Sequence, residues 1–306
     1  MAEIKHVVVI SDTHCGSTIG LLPKGFRSAE GNTIGQNAIQ EHLWDRWLAL
    51  NREWIPDIVG NHPYVVVFNG DATDGNHHNS RQLISPHEHD HVEAARLALE
   101  PLADRASDFV MIRGTECHVG QSASLEEEVM WRVRDMARKP RLDDEPLTFF
   151  HAKIRLGDHL IDFAHHVGAS SAMIPGLPGC AKILAKQLIE SAKWDVQAPS
   201  VVVRSHVHSF ATAATATARG TMRATITPAW QALTAFGWKV VPDVLPQLGA
   251  VALSLGRRGE IYQREIVWPI KRAEPLKLRL KSSRTTSAAF SGKSSSRQAK
   301  ARRATD

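Results

Sequence analysis

The sequence predicts an α/β fold in which buried strands alternate with helices along the first 270 residues. Short β-branched runs, such as residues 6–10 and 64–68, are typical of buried strands. The segments between these runs repeat apolar residues at helical spacing. Neither an internal repeat nor a change of composition divides this stretch. We therefore expect residues 1–270 to form one α/β domain.

Local signals predict each element of the first half. The first helix has an apolar face that includes Ile39, Leu43 and Trp47, and Pro56 is expected to end it. Each predicted strand runs into polar residues, which is the pattern of a strand whose C-terminal end carries function. The predicted strands lie at 6–10, 64–68 and 109–112, and the predicted helices lie at 37–54, 86–105 and 125–138.

Beyond Pro146 the pattern changes to alternating apolar and polar residues. Two such segments, 148–156 and 159–164, are joined by Gly157 and Asp158 and predict a hairpin. The remaining predicted elements are a helix at 181–194 and strands at 201–203, 221–227, 250–255 and 261–267.

Composition excludes several classes of protein. Hydrophobic residues make up 43% of the 306 residues and charged residues 23%, which argues against fibrous and wholly disordered chains. No apolar run reaches the roughly 20 residues of a membrane helix, and the N-terminus lacks the shape of a signal peptide. The three cysteines form no C-x-x-C motif and suit a reducing compartment. We therefore expect a cytoplasmic protein that does not engage a membrane.

Positive charge is concentrated at the C-terminus. The net charge is +5, yet nine of the 37 Lys and Arg residues and only one acidic residue lie within 277–306. The segment 271–306 is rich in Ser, Ala and Thr and has too few large apolar residues to form a core, so we expect a disordered basic tail. Such a tail could bind nucleic acid through phosphate contacts, or it could serve solubility alone.

Residues that can bind metals follow five successive predicted strands. The chain is rich in histidine, with sixteen in all, and histidine is the commonest ligand of transition metals. Because the C-terminal ends of strands in an open α/β sheet meet at one edge, we expect these residues to form one site. The motifs are Asp12-x-His14, Gly70-Asp71-x-x-Asp74, Gly114-Thr115-Glu116-Cys117-His118, His165-His166 and His206-x-His208.

The ordered set resembles the motifs of the calcineurin-like metallophosphoesterase superfamily: D-x-H, G-D-x-x-D, G-N-H-[DE], a lone His and G-H-x-H. The resemblance extends over about residues 4–210. It implies a four-layer α/β/β/α sandwich with two mixed β-sheets and two metal ions at the strand ends. The motif variants G-T-E-C-H and S-H-V-H resemble those of phage and prophage members of the superfamily more than those of its eukaryotic phosphatases.

The resemblance also implies roles for individual residues. Asp71 would bridge two divalent ions, for which the mixture of carboxylates and imidazoles suits Mn, Fe or Zn. The other implied ligands are Asp12, His14 and His208 at the first metal and His165 and His206 at the second. His166 could replace His165, although His165 comes first after its strand. His77 and His78 follow the bridging motif and could line the substrate cleft.

The third motif departs from the family pattern. The family's asparagine, a ligand of the second metal, falls at Thr115, and the neighbouring Glu116 is expected to replace it as a ligand. The catalytic histidine would then be His118, with Asp74 as the carboxylate that orients it. In the alternative, Glu116 is the acid and water fills the vacant position on the second metal.

These residues predict a binuclear metal-dependent phosphoesterase. A metal-bridging hydroxide would be the nucleophile and His118 the acid that protonates the leaving oxygen. The substrate would be a phosphomonoester or phosphodiester, with nucleotides and nucleic acids included. The alternative is a non-catalytic binding protein of the same fold that associates with nucleic acid through its basic tail.

Overall fold

The computed structural model of the chain describes residues 3–77, 80–136, 146–167, 176–240 and 245–270. The basic segment 271–306 and His78 lie outside these residues, so the expectations about them remain predictions. None of the described helices is both long enough and apolar enough to cross a membrane.

The predicted strands and helices occur in the predicted order, together with a strand at Ala211–Thr217 and short helices at Ile55–Val59, Glu116–Val119 and Ala235–Val240 that the sequence did not predict. The strands are β1 (His6–Ile10), β2 (Tyr64–Asn69), β3 (Asp108–Ile112), β4 (Thr148–Phe149), β5 (Ala152–Leu156), β6 (His159–Phe163), β7 (Val201–Arg204), β8 (Ala211–Thr217), β9 (Gly220–Ile226), β10 (Gln247–Leu255) and β11 (Ile261–Pro269). The helices are α1 (Ala38–Ala49), α2 (Ile55–Val59), α3 (Glu88–Arg105), α4 (Glu116–Val119), α5 (Ser124–Met136), α6 (Leu177–Lys193) and α7 (Ala235–Val240).

The strands form two mixed sheets. The first has the spatial order β11–β10–β1–β2–β3–β4, in which β1 to β4 run parallel and β10 and β11 are antiparallel to their neighbours. The second has the order β5–β6–β7–β9–β8, with β6, β7 and β9 parallel. In both sheets the strands that precede the candidate site residues are parallel neighbours, so their C-terminal ends lie side by side.

Three layers of apolar side chains show that the two sheets pack face to face between helices. Alternate residues of a strand point to opposite faces, so Val8 of β1 packs toward α1, α3 and α5 while Val7 packs toward the second sheet. Ile161 and Val203 of the second sheet meet Val7 in the layer between the sheets. On the outer face of the second sheet, Val202 packs against α6. The expected four-layer α/β/β/α sandwich is confirmed.

The helix expected to end at Pro56 continues past it. Asn37 caps α1, because its side chain accepts the backbone N–H groups of Ile39 and Gln40. A π-helical turn, Leu50–Trp54, then leads into α2, which runs to Val59. Proline has no N–H to donate, and the wider turn before Pro56 accommodates the missing hydrogen bond. The prediction that Pro56 closes the helix was therefore wrong.

The expected hairpin is shared between the two sheets. The prediction is correct for the part next to the turn, because β5 and β6 pair antiparallel around Gly157. Its first residues instead form β4, in which Thr148 pairs with Met111 at the edge of the first sheet. The chain passes from one sheet to the other at the exposed Phe150, a crossing that alternation alone cannot reveal.

Candidate metal centre

The predicted site residues lie at the C-terminal ends of β1, β2, β3, β6 and β7, where the two sheets adjoin. Five of them have left-handed backbone conformations, with φ between 42° and 76°: Asp12, His14, Asp71, His206 and His208. Non-glycine residues rarely adopt this conformation, and where they do they cluster at functional sites. The unusual backbone conformations therefore occur in the same loops that contain the sequence motifs.

The first group of ligand atoms comes from Asp12, His14 and His208, whose donor atoms lie within 4.8 Å of one another. Nε2 of His14 is 3.2 Å from Nε2 of His208, which is 3.3 Å from Oδ1 of Asp12. Nδ1 of His14 lies 3.0 Å from Oδ1 of Asp74, so Nδ1 donates to that carboxylate. The lone pair of Nε2 is thereby turned toward the group, as in metal-ligating histidines.

The second group gathers around His165, which is fully buried. Its Nδ1 lies 2.7 Å from the carbonyl oxygen of Asn69 and donates to it, while its Nε2 lies 3.0 Å from Oδ2 of Asp71. The donor atoms of His165, His166 and His206 also lie within 4.8 Å of one another. The structure thus brings both members of the His165-His166 pair to the same site.

Asp71 lies between the two groups. Its Oδ2 is 3.0 Å from Nε2 of His165 and 3.7 Å from Nε2 of His14, and its side chain is buried. The backbone N–H of Thr115 donates to Oδ1 of Asp71 at 2.6 Å. A Cβ at position 114 would overlap Oδ1, so Gly114 is required for this close approach. One carboxylate therefore contacts histidines of both groups.

Thr115, rather than Glu116, lies among the ligand atoms. Its Oγ1 is 3.1 Å from Nδ1 of His206, 3.3 Å from Nε2 of His166 and 3.3 Å from Oδ2 of Asp71. Glu116 is exposed at the first residue of α4 and belongs to no group of metal-competent atoms in the described part of the chain. Of the predicted ligands, Glu116 is the one that the structure does not bring to the others.

His118 and Asp74 lie together beside the first group. Nδ1 of His118 is 3.0 Å from the carbonyl oxygen of Asp74, and its ring meets the ring of His14 edge-on at 4.6 Å. Burial and the neighbouring His14 lower the pKa of His118 to about 4 in the metal-free protein. The ring of His77 packs against that of His118 at 4.3 Å, and its expected place in a substrate cleft remains a prediction.

Without metal, the ionised side chains of the site stabilise one another. Burial alone would lower the pKa of His165, but the Asp71 carboxylate beside it raises that pKa to about 10. Burial opposes ionisation of Asp71, yet His165 and His14 hold the pKa of its carboxyl well below its usual range. Without metal, the positive charge that balances Asp71 is therefore a proton on the histidine facing it.

The donor set fits divalent metal ions. Both carboxylate oxygens of Asp12 are buried and accept no hydrogen bond within the described residues, and the nearest polar neighbour of Oδ1 in the first group is the imidazole of His208 at 3.3 Å. A buried carboxylate that accepts no hydrogen bond is costly, and a cation held with His14 and His208 would satisfy it. Carboxylates mixed with imidazoles are the ligands of Mn, Fe and Zn rather than of Mg or Ca alone.

Two supporting residues escaped the sequence analysis. Gln231 donates from Nε2 to Oδ1 of Asp74 at 3.0 Å. Glu126, fully buried in the first turn of α5, accepts the backbone N–H groups of Ala72 at 3.1 Å and Gly114 at 2.8 Å. Burial and the charge of Asp71 raise the pKa of Glu126 to about 7. The one signal for Glu126 in the sequence is that it is an acidic residue on the apolar face of α5.

The fold and the site together define an α/β sandwich with a candidate dinuclear metal centre. Among solved structures, Vps29 from Chaetomium thermophilum is 9% identical over 88% of this chain and 98% of its own, with a TM-score of 0.36. A predicted phosphoesterase from Streptococcus pneumoniae is 11% identical over 86% of this chain and 98% of its own, with a TM-score of 0.31.

Similarity this weak assigns no activity, so the function has to be inferred from the geometry of the site. Neither structure comes from a phage, so the expected similarity to phage and prophage proteins gains no support. No family model matches the sequence, and no curated protein matches it either.

Proposed function

We propose that this chain is a dinuclear-metal phosphoesterase of the calcineurin-like metallophosphoesterase superfamily. The observation that carries the proposal is the position of Asp71, whose Oδ2 lies 3.0 Å from His165 and 3.7 Å from His14. A buried carboxylate between two clusters of imidazoles is the arrangement that a pair of cations requires. Asp12, whose two buried oxygens accept no hydrogen bond within the described residues, supports the same conclusion.

The ligands divide between two positions. Asp12, His14 and His208 would hold one cation, His165 and His206 the other, and Asp71 would contact both. When bound, such a pair of cations supplies a nucleophile from water near neutral pH and stabilises the charge that develops on a phosphoryl group. This chemistry needs no nucleophilic serine or cysteine. It is compatible with phosphomonoesters and with phosphodiesters, including nucleotides and nucleic acids.

His118 would handle the proton of the leaving group. The carbonyl oxygen of Asp74 can only accept, so Nδ1 of His118 carries a proton and holds the ring in one orientation. Nε2 is then the nitrogen that exchanges a proton with a substrate. Because the pKa of His118 is about 4 in the metal-free protein, Nε2 has to take up a proton when the anionic substrate binds before His118 can act as the acid. The carboxylate of Asp74 accepts from His14 and Gln231, so Asp74 would orient a ligand through its side chain and the proposed acid through its backbone carbonyl, not through its carboxylate as the sequence led us to expect.

The test is hydrolysis by the full chain after loading with Mn²⁺ or Zn²⁺. Nitrophenyl phosphate and bis(nitrophenyl) phosphate report monoesterase and diesterase activity. Asp71→Asn should be inactive, whereas Asp57→Asn, which changes an exposed aspartate paired with Arg264, should match the wild type. Two bound metals without turnover of either ester or of DNA would favour the alternative, a non-catalytic binding protein of this fold.

A further inference from the structure

The second group of ligand atoms contains one imidazole more than the sequence motifs require. His166 lies beside His165, and the rings of His165, His166 and His206 pack with centroids 5.0 to 5.3 Å apart. One nitrogen from each ring lies within 4.8 Å of the others. Although part of the His166 side chain is exposed, its donor atom belongs to the group.

The hydroxyl of Thr115 shows where a ligand is missing. Its oxygen lies 3.1 to 3.3 Å from donor atoms of His206, His166 and Asp71, at the sequence position where an amide ligand was expected. A neutral hydroxyl is a poor ligand, whereas imidazole is a good one for transition metals. Of these three donor atoms, Nε2 of His166 is the one to which the proposed function gives no role.

We propose that His166 is a ligand of the second metal ion and takes the place of the amide that is absent at Thr115. The inference rests on the proposed dinuclear function and specifies one of its two metal positions. The second metal would be held by His165, His166, His206 and Asp71, without Glu116.

This ligand set makes the two positions chemically different. The first offers two carboxylates, Asp12 and Asp71, with two imidazoles, whereas the second offers three imidazoles and the shared carboxylate. Imidazole-rich sites favour Zn²⁺ or Fe²⁺, and carboxylate-rich sites tolerate Mn²⁺. When Zn²⁺ and Mn²⁺ are supplied together, zinc should therefore fill the second position first.

The experiment measures metal binding by the full chain, independently of turnover. Metal-free wild type, His166→Ala and His87→Ala are titrated with Zn²⁺ against a chromophoric chelator. His87 is exposed, pairs with Glu30 and belongs to no group of metal-competent atoms in the described part of the chain, so its variant controls for the loss of a histidine. Wild type and His87→Ala should bind two equivalents. In His166→Ala the second equivalent should weaken by at least the 10–100-fold that the loss of outer-shell partners causes.

A second variant separates ligation from folding. Thr115→Asn in the His166→Ala background restores an amide at the family position and should recover much of the second-site affinity. Titration with Co²⁺ should show altered absorption of the second equivalent in His166→Ala alone. An unchanged second equivalent in His166→Ala would overturn the assignment of His166 while leaving the phosphoesterase proposal intact.

A failure of the proposed activity can also be distinguished from a failure of the ligand assignment. A wild type that binds two metals through His166 but hydrolyses no ester would overturn the proposed activity and support the ligand assignment. A wild type that binds fewer than two metals would overturn both.

Discussion

Oε2 of the fully buried Glu126 accepts the backbone N–H of Gly114 at 2.8 Å. Oε1 of the same carboxylate accepts the N–H of Ala72 at 3.1 Å. These two bonds connect the loop after β2, which carries Asp71, to the loop after β3, which carries Thr115. Glu126 is thus a positioning residue, and its ionisation is coupled to the stability of the site.

The stability of the metal-free protein should depend on the ionisation of Glu126. Burial, together with the charge of Asp71, raises its pKa from 4.5 to about 7, so the folded state binds this proton more tightly than the unfolded chain. Its contribution is therefore fully present below pH 4.5 and is lost as the pH rises through 7. The loss amounts to roughly 3 kcal/mol. Denaturant unfolding between pH 4.5 and 8 measures it.

Glu126→Gln provides the comparison, because glutamine cannot ionise. Its free energy of unfolding should fall less steeply over this pH range than that of the wild type. Glu128→Gln is the matched control, since Glu128 lies on the same helix and pairs with Arg132 at the outer face. Identical pH dependence in the wild type and Glu126→Gln would show that Glu126 does not titrate as described.

Asp71→Asn should bind fewer than two metal ions and lose activity. It removes the one carboxylate that contacts both groups, and two cations without it repel each other. Metal content after gel filtration and turnover of bis(nitrophenyl) phosphate are the two measurements. Retention of two metals and full turnover would show that the assignment of ligands is wrong.

Removal of metal should destabilise the wild type. A ligand bound only by the folded state adds about 2.7 kcal/mol when its concentration is 100 times its Kd. The melting temperature should therefore fall in excess EDTA and recover when Zn²⁺ is returned. A melting temperature that EDTA leaves unchanged would argue against a tightly bound pair.

His118→Ala should keep both metals and lose activity selectively. General acid catalysis contributes about 10²–10⁴-fold on esters with poor leaving groups, whereas nitrophenyl esters hardly need a proton. Rates should therefore be compared across leaving groups of increasing pKa. A loss independent of leaving-group pKa would remove His118 from this role, and loss of metal would make His118 a ligand.

Deletion of residues 277–306 should leave turnover of a small chromogenic diester unchanged. The candidate ligands all precede residue 209 in the chain, on loops of the two sheets. If the basic tail binds nucleic acid, deletion should weaken DNA binding and flatten its salt dependence by roughly 0.7–0.9 log units for each phosphate that the tail neutralises. Equal binding and equal salt dependence with and without the tail would assign it to solubility alone.

The sequence by itself determined the order of most of the elements and the loops that hold the candidate site residues. Strand β1 was predicted with its observed bounds, because a β-branched run bounded by polar residues is a local signal. The same signal located Asp12, Asp71 and His206 immediately after their strands. Parallel neighbours place such strand ends at one edge, so convergence followed from the fold class.

The features of the site that depend on long-range contacts were decided by the tertiary structure alone. Whether Thr115 or Glu116 faces the ligands depends on how α4 begins, and a shift of one residue along a helix start turns a side chain from the site to solvent. The contacts of Glu126 with Ala72 and Gly114 join residues 54 and 12 positions apart in the chain, which no periodicity encodes. His166 joined the second group for the same reason, because donor atoms meet only when separate strand ends are packed together.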